Sequence, residues 1–350
     1  VISFVGAMII LITYLISGSL ISDIDNETIA ALTDMFGSRT YSLTTKYYTP
    51  IEKNTLNPSF SGLIMINRIF WASMGVVVLV VSYLRFSFLE KNKKVKKEKN
   101  VKETKSVTFT LPKLTPIFNG NTEWAQFKSF FKMNVLSIAK SITFKILFVF
   151  SAILLFTGLY GGFEYFGLQS YPVTYDIIDQ IDNSTLLFIM IILVFFSGEL
   201  IWRDRDHKIN EVIDASPHTS FISLAAKSLS LVTITSLLSW FFILCGVVYQ
   251  LINGYTRIEL DVYFIDFVMT KLSIYIIWAG LMIMVQVLVN NKYIGYFVSV
   301  LIIFIWDFIL LMMDVETNML SIGGAPSLTY SDMNGFGSGV YGAIWFYTYW

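Results

Sequence analysis

T-L-L-F-I-M-I-I-L-V-F-F-S-G-E-L-I-W (Thr185–Trp202) runs directly into R-D-R-D-H-K (Arg203–Lys208). The first stretch holds one charged residue, Glu199, and the second is almost entirely charged. The hydrocarbon core of a bilayer takes roughly 20 apolar residues of helix. Backbone groups in lipid must find partners within their own segment, so a run of this kind reads as a transmembrane helix with its end in water.

Similar runs lie on both sides. Working outward, candidate spans are Phe144–Phe163, Leu63–Phe86 and Val1–Leu20 toward the N-terminus. Toward the C-terminus they are Ile222–Ile252, Leu272–Val289, Ile294–Met313 and the start of another at Val340–Trp350. About eight spans give an all-α, polytopic transmembrane bundle. Composition agrees: 55% of the 350 residues are hydrophobic and 14% charged, against about 25% charged in an ordinary soluble domain. The apolar stretches at Val1 and Trp350 lead us to expect a fragment of a longer protein, with no signal peptide to read. The net charge of +0 favours neither nucleic acid nor acidic partners.

Basic residues orient the spans. Arg85, Lys91, Lys93, Lys94, Lys96, Lys97, Lys99, Lys102 and Lys105 follow the second span, which predicts that residues 87–143 are cytoplasmic. Alternation then places 203–218 inside, and 21–62, 164–184, 253–270 and 314–339 outside. The acidic loop 164–184, with Glu164, Asp176, Asp179 and Asp182 and no Lys or Arg, fits that assignment. Trp71, Trp202, Trp278 and Trp345 are candidate interfacial anchors.

The lysine-rich segment 87–123 reads either as a lipid-binding or regulatory tail or, as its low apolar content favours, as a solvated cytoplasmic linker. It separates residues 1–86, two spans joined by an outside loop, from residues 124–350. The second part opens with an amphipathic helix, Trp124–Ile142. Phe127, Phe130, Phe131, Val135, Ile138 and Ile142 form one face, and Lys128, Lys132 and Lys140 the other. Such a helix lies in the membrane interface or packs on a protein domain. The outside loops share D-N-E-T (Asp25–Thr28) and D-V-E-T (Asp314–Thr317), followed by Tyr41-Ser42 and Tyr330-Ser331. With the topology, this pattern predicts a duplicated six-span unit whose first copy lacks its start.

No P-loop, H-E-x-x-H or G-x-S-x-G motif occurs, so catalysis by this segment is not expected. His207 and His218 are too few for a closed zinc site. Cys245, the single cysteine, sits in an apolar run and has no intrachain disulfide partner. Within the spans, Asp307 and Gln286 are the clearest polar candidates. Asp307 is either part of an ion path or a helix-packing carboxyl near the interface.

The densest polar signal is S-G-E-L-I-W-R-D-R-D-H-K-I-N-E-V-I-D-A-S-P (Ser197–Pro217). Ile209, Val212 and Ile213 predict a short helix with one apolar face, stopped by Pro217. It is either a docking element for a partner or a solvated loop. This stretch resembles the region after the second span of type-2 ATP-binding-cassette (ABC) permeases, in particular the large bacterial ones fused to a zinc aminopeptidase. Y-Y-T-P-I-E-K-N (Tyr47–Asn54), I-N-R-I-F-W (Ile66–Trp71) and Y-S-D-M-N-G-F-G (Tyr330–Gly337) are similar to that family too.

The resemblance implies tandem permease units, the first truncated, in a dimeric or pseudo-dimeric exporter of the bacterial cytoplasmic membrane. A separate ABC ATPase subunit would hold the ATP, and zinc would belong only to a peptidase domain beyond Trp350. It also implies coupling roles for Glu199, Arg203, Arg205, Asp206, Lys208, Glu211 and Asp214. Two other functions remain open on the sequence. One is a membrane anchor for a fused enzyme, suggested by the scarcity of polar residues in the spans. The other is an ion-coupled transporter centred on Asp307.

Overall fold

In the computed structural model the described residues are 6, 9–11, 13–15, 17, 27–85, 120–161, 163–165, 168–215, 218–314 and 317–350. The side chains of Glu164, Tyr165, Leu168, Gln169, Val212, Asp214 and Asp307 are not among those described. Most of the expected span Val1–Leu20, nearly all of the basic linker and part of each D-x-E-T match thus lie outside the described residues. The chain divides into two compact units, Ile9–Phe118 and Asn119–Trp350 together with Val1–Met8. Six helices are long and apolar enough to cross a membrane: Gly62–Arg85, Ile142–Gly161, Thr174–Asp206, Ser220–Ile252, Leu260–Leu288 and Lys292–Met312. The chain is a multi-pass helical membrane protein by this architecture.

In the first unit, short helices α1 (Glu27–Thr33), α2 (Ser38–Thr44) and α3 (Pro50–Thr55) precede the long α4 (Gly62–Arg85). The last carbonyls of a helix have no intrahelical partner, and α4 supplies them for α1. The Asn67 amide donates to Ala31 O at 2.6 Å and Asp34 O at 2.7 Å, and the Trp71 indole to Leu32 O at 3.0 Å. Arg68 reaches Phe36 O at 2.6 Å. Buried Asp34 accepts from the backbone N–H groups of Gly37, Arg39 and Thr40, which opens α2. The segment Ile66–Trp71 is therefore a clasp. Trp71, expected as an interfacial anchor, has its N–H committed inside this clasp.

Thr49 and Glu52 form a reciprocal capping box at α3, with Pro50 in the first turn, which accounts for T-P-I-E within Tyr47–Asn54. The backbone N–H of Thr49, then its hydroxyl, hold the Glu52 carboxyl below its ordinary value. The lowered value means that the cap is fully formed at neutral pH and is lost as the pH falls through it. Beyond Asn67, α4 is exposed along nearly its whole length.

In the second unit, α5 (Gly120–Lys140) and α6 (Ile142–Gly161) follow each other with only Ser141 between them. A two-residue antiparallel pair, β1 (Glu164–Tyr165) with β2 (Leu168–Gln169), leads to α7 (Thr174–Asp206). Next come α8 (Asn210–Asp214) and α9 (Ser220–Ile252). A continuous helical rod is then built from α10 (Leu260–Asp266), a π-helical turn (Phe267–Leu272) and α11 (Ser273–Leu288). Finally, α12 (Lys292–Met312) and α13 (Gly339–Tyr349) end the unit.

Helices α7 and α9 are the core of the bundle, with more than half of their apolar windows buried, against 12% for α12. On α7 the inward residues Ile177, Ile181, Phe188, Ile192, Phe196 and Leu200 follow helical spacing. On α11 the stripe is Tyr275, Trp278, Ala279, Met282 and Gln286. Helix α5 packs along α9 with the expected face. Phe127, Phe130, Phe131 and Val135 are half-buried and Ile138 is buried, whereas Ile142 belongs to α6 and is exposed. Ser141 breaks the helix before that residue. Trp202 and Trp278 are buried between helices, so they do not act as interfacial anchors.

Two of the spans predicted from hydropathy, Thr185–Trp202 and Leu272–Val289, are much shorter than the helices formed there, Thr174–Asp206 and Leu260–Leu288. With 33 residues, α7 is roughly 50 Å long at about 1.5 Å per residue, well beyond the hydrocarbon thickness. Residues 174–184 and 260–270, expected in loops, are the polar ends of helical rods. Of the matched pair Tyr41-Ser42 and Tyr330-Ser331, the first lies in α2 and the second opens a bridged turn closed by Ser331 and Gly335.

Helices in lipid associate through close packing more than through hydrophobic drive. At Gly246 on α9, a Cβ would lie 2.6 Å from a methyl of fully buried Ile177 on α7. Gly280 meets nothing within 4 Å. Gly246→Ala should therefore lower stability by about 1–3 kcal/mol through overpacking, whereas Gly280→Ala should be neutral or stabilising. Thermal melts in detergent distinguish the two. Separately, Asn67→Ala removes the two Asn67 bonds of the clasp and should speed limited proteolysis within residues 27–44 while leaving that of 120–350 unchanged.

Candidate functional site

Both ends of α7 carry charge, and each end is tied to a neighbour by a lysine. At the C-terminal end, Lys292 in the first turn of α12 reaches Glu199 at 3.1 Å and Asp206 at 2.7 Å. Glu199 and Asp206 are seven residues apart, so they lie two turns apart on one face of α7. Arg203 donates to Asn134 on α5 at 3.0 Å, and Lys227 on α9 reaches Asp204 at 3.4 Å. The Arg205 guanidinium lies over the Trp202 ring, 4.9 Å from its centroid. Buried Trp202 donates from its indole to Gln286 at 3.1 Å, and the Gln286 amide nitrogen is left without a partner among the described atoms.

The structure divides the residues expected to couple with a partner. Glu199 and Arg203 are half-buried and tie α7 to α12 and α5, so they brace the bundle. Asp206 does the same through Lys292 while remaining exposed. Arg205, Lys208 and Glu211 are exposed, with Lys208 in a left-handed turn between α7 and α8. Helix α8 has only five residues. Asp214 and Asp307 have side chains outside the described set. Gln286 is an interhelical hydrogen-bond acceptor, a packing role within the span.

At the opposite end of α7, Asp176, Asp179 and Asp182 recur every three residues in its first turns. They face Asp266, Thr270 and the segment Ser327–Tyr330 across a cleft of about 450 Å³. Its floor is an ion cluster. Lys271 Nζ bonds Asp182 on α7 and lies 3.2 Å from Asp266. The Lys271 side chain is 9% exposed, Asp266 11% and Asp182 40%. Behind Lys271, the Tyr275 and Ser239 hydroxyls share a 2.6 Å hydrogen bond. Tyr263 donates to Gln250 at 3.0 Å, and Gln250 donates to Pro172 O at 2.9 Å, fastening α9 and α10 to the start of α7.

Tyr330 and Phe336, from the segment Tyr330–Gly337, stack edge to face at 5.2 Å at the cleft wall, with Tyr175 beside them at 6.4 Å. The mouth is negatively polarised. Partial desolvation, then the Glu259 and Asp332 carboxylates, push the Tyr330 phenol above its ordinary value. Four carboxylates, Asp176, Asp179, Asp182 and Asp266, face one ammonium, a formal balance of 4 − 1 negative charges. Such a surface favours cationic or amine-bearing groups over anions. Among the described residues no three His, Cys, Asp or Glu side chains converge as a metal site.

The sequence pattern puts Asp182 and Asp266 in outside loops and leaves Lys271 at the boundary between a loop and the span Leu272–Val289, so the spans read as poor in polar groups. The three-residue spacing of Asp176, Asp179 and Asp182 was the available signal that the α7 helix begins earlier. No protein-family model matches the chain, nor does any curated protein or solved structure.

Removing one partner of a buried ion cluster costs more than removing an exposed one. Lys271→Met leaves Asp266 buried without its counter-ion and should cost about 3–5 kcal/mol. Asp182→Asn, at a more exposed position and with Asp266 still paired, should cost much less. Melting temperatures of the two variants in the same detergent check the order.

Proposed function

We propose that this chain is the permease part of an ABC-type exporter in a bacterial cytoplasmic membrane. In this reading a separate ATPase subunit binds the exposed charges at the C-terminal end of α7 and in α8, namely Arg205, Lys208 and Glu211. The observation that carries the proposal is the continuity of α7. One unbroken 33-residue helix joins that exposed segment to the acidic cleft at its other end. A push on its Asp206 end is transmitted to Asp182 without a hinge. The basic linker supports a cytoplasmic position for the Asp206 end, which puts the cleft on the outer side.

Tandem six-span units, with eight spans in this segment and a dimeric or pseudo-dimeric assembly, belong to the same reading. A transported molecule would carry positive charge where it meets the cleft. The alternative of a passive anchor for a fused aminopeptidase has no use for a buried ion cluster or an aromatic-walled cleft, and this favours transport.

Affinity-tagged full-length protein extracted in mild detergent tests the proposal. Wild type should retain an ATPase identifiable by mass spectrometry, and Arg205→Glu or Glu211→Lys should release it without changing the melting temperature. Absence of an ATPase from wild type under every nucleotide condition would reject the permease reading.

A further inference from the structure

The rod Leu260–Leu288 contains the only π-turn among the described residues, Phe267–Leu272. Such turns carry one residue more than the α-helical register and recur at functional sites. Here the turn has an identifiable stereochemical cause. Asp266 and Lys271 are five residues apart. At about 100° per residue, an α-helix would set them roughly 140° apart around the axis, too far to pair. The wider π-turn, with its i to i+5 periodicity, stacks them instead, and the two charges meet at 3.2 Å. The Ser273 hydroxyl follows the same period, donating to Val268 O at 3.5 Å. The ion pair and the π-turn therefore depend on each other.

Lys271 is shared. Asp266 holds it from within the rod, and Asp182 holds it from α7. In the α register Lys271 keeps its partner on α7, while Asp266 turns away. We infer that the Asp266–Lys271 pair is a latch on a register switch, in which loss of the pair returns the π-turn to α-helix and rotates Leu260–Asp266 against Ser273–Leu288. One residue of register is a rotation of about 100° and an advance of about 1.5 Å.

That rotation has definite consequences. It withdraws Asp266 from the cleft floor. It carries Tyr263 away from Gln250, and so loosens the bonds fastening α9 and α10 to the start of α7. It also turns Val262, now 1% exposed, to the exposed place of Asp261, and brings Phe264, now 56% exposed, onto the packed face of α10. The trigger is α7, because a displacement of α7 moves Asp182 and competes with Asp266 for the one ammonium. The latch is a property of the rod and stands whether or not an ATPase drives α7.

The test uses the full chain in detergent with Cys245→Ala and a reporter, Val262→Cys. Asp266→Asn removes the latch yet leaves Lys271 paired with Asp182, so the fold is not burdened with an unpaired buried ammonium. A water-soluble maleimide should label Val262→Cys at least about tenfold faster when Asp266→Asn is added, the population shift that about 1.4 kcal/mol produces. A second reporter, Ala226→Cys, fully buried at the far end of α9, should keep its slow rate. An unchanged rate at Val262→Cys overturns the latch. Equal acceleration at both reporters also overturns it, because general loosening and not a local register change would then be responsible.

Discussion

One ammonium group organises the second unit. Lys271 is buried in a helical rod, and a buried charge is tolerated only with a counter-ion and satisfied hydrogen bonds. Asp182 and Asp266 supply both from two directions. To do so, α7 must begin as early as Thr174 so that Asp182 is on a helix, and the rod must widen into a π-turn so that Asp266 comes round to Lys271. The length of α7, the irregular turn and the acidic cleft are three consequences of placing that charge.

The opposite end of α7 repeats the logic with weaker burial. Lys292 bridges Glu199 and Asp206, and Arg203 and Lys227 add ties to α5 and α9. A helix clamped by ion pairs at both ends and packed through its apolar middle moves as a body, not by bending. The sides of α7 are engaged with α6, α9, α11 and α12, and at its C-terminal end exposed charges continue from Arg205 and Asp206 in its last turn to Lys208 and Glu211 beyond it. Displacement applied there has one rigid route toward the cleft.

Most of the fold was legible in the sequence because lipid imposes one rule, that long apolar runs are helices. Gly62–Arg85, Ile142–Gly161, Ser220–Ile252 and Lys292–Met312 fall where hydropathy places them, and the apolar face of Gly120–Lys140 follows from its period. The cleft was not legible, for a physical reason. Hydropathy ends a span where charge begins, but a helix continues into the polar region as long as its backbone bonds form. Asp176–Asp182 and Asp266 thus read as loop residues, with Lys271 at the loop's edge. The five-residue spacing of Asp266 and Lys271 gives no helical signal, since only a π-turn makes it a contact. The conspicuous segments Ile66–Trp71 and Tyr47–Asn54 turned out to be a clasp and a capping box, in which strong local chemistry stabilises a loop.

Lys271 lies sealed between two carboxylates in the folded protein. Amine-selective labelling of the intact protein in detergent, read residue by residue by mass spectrometry, addresses it directly. Lys46 and Lys128 should be modified readily, and Lys271 should remain unmodified until the protein is denatured. Modification of Lys271 in the native state at the rate of Lys128 would contradict the buried cluster.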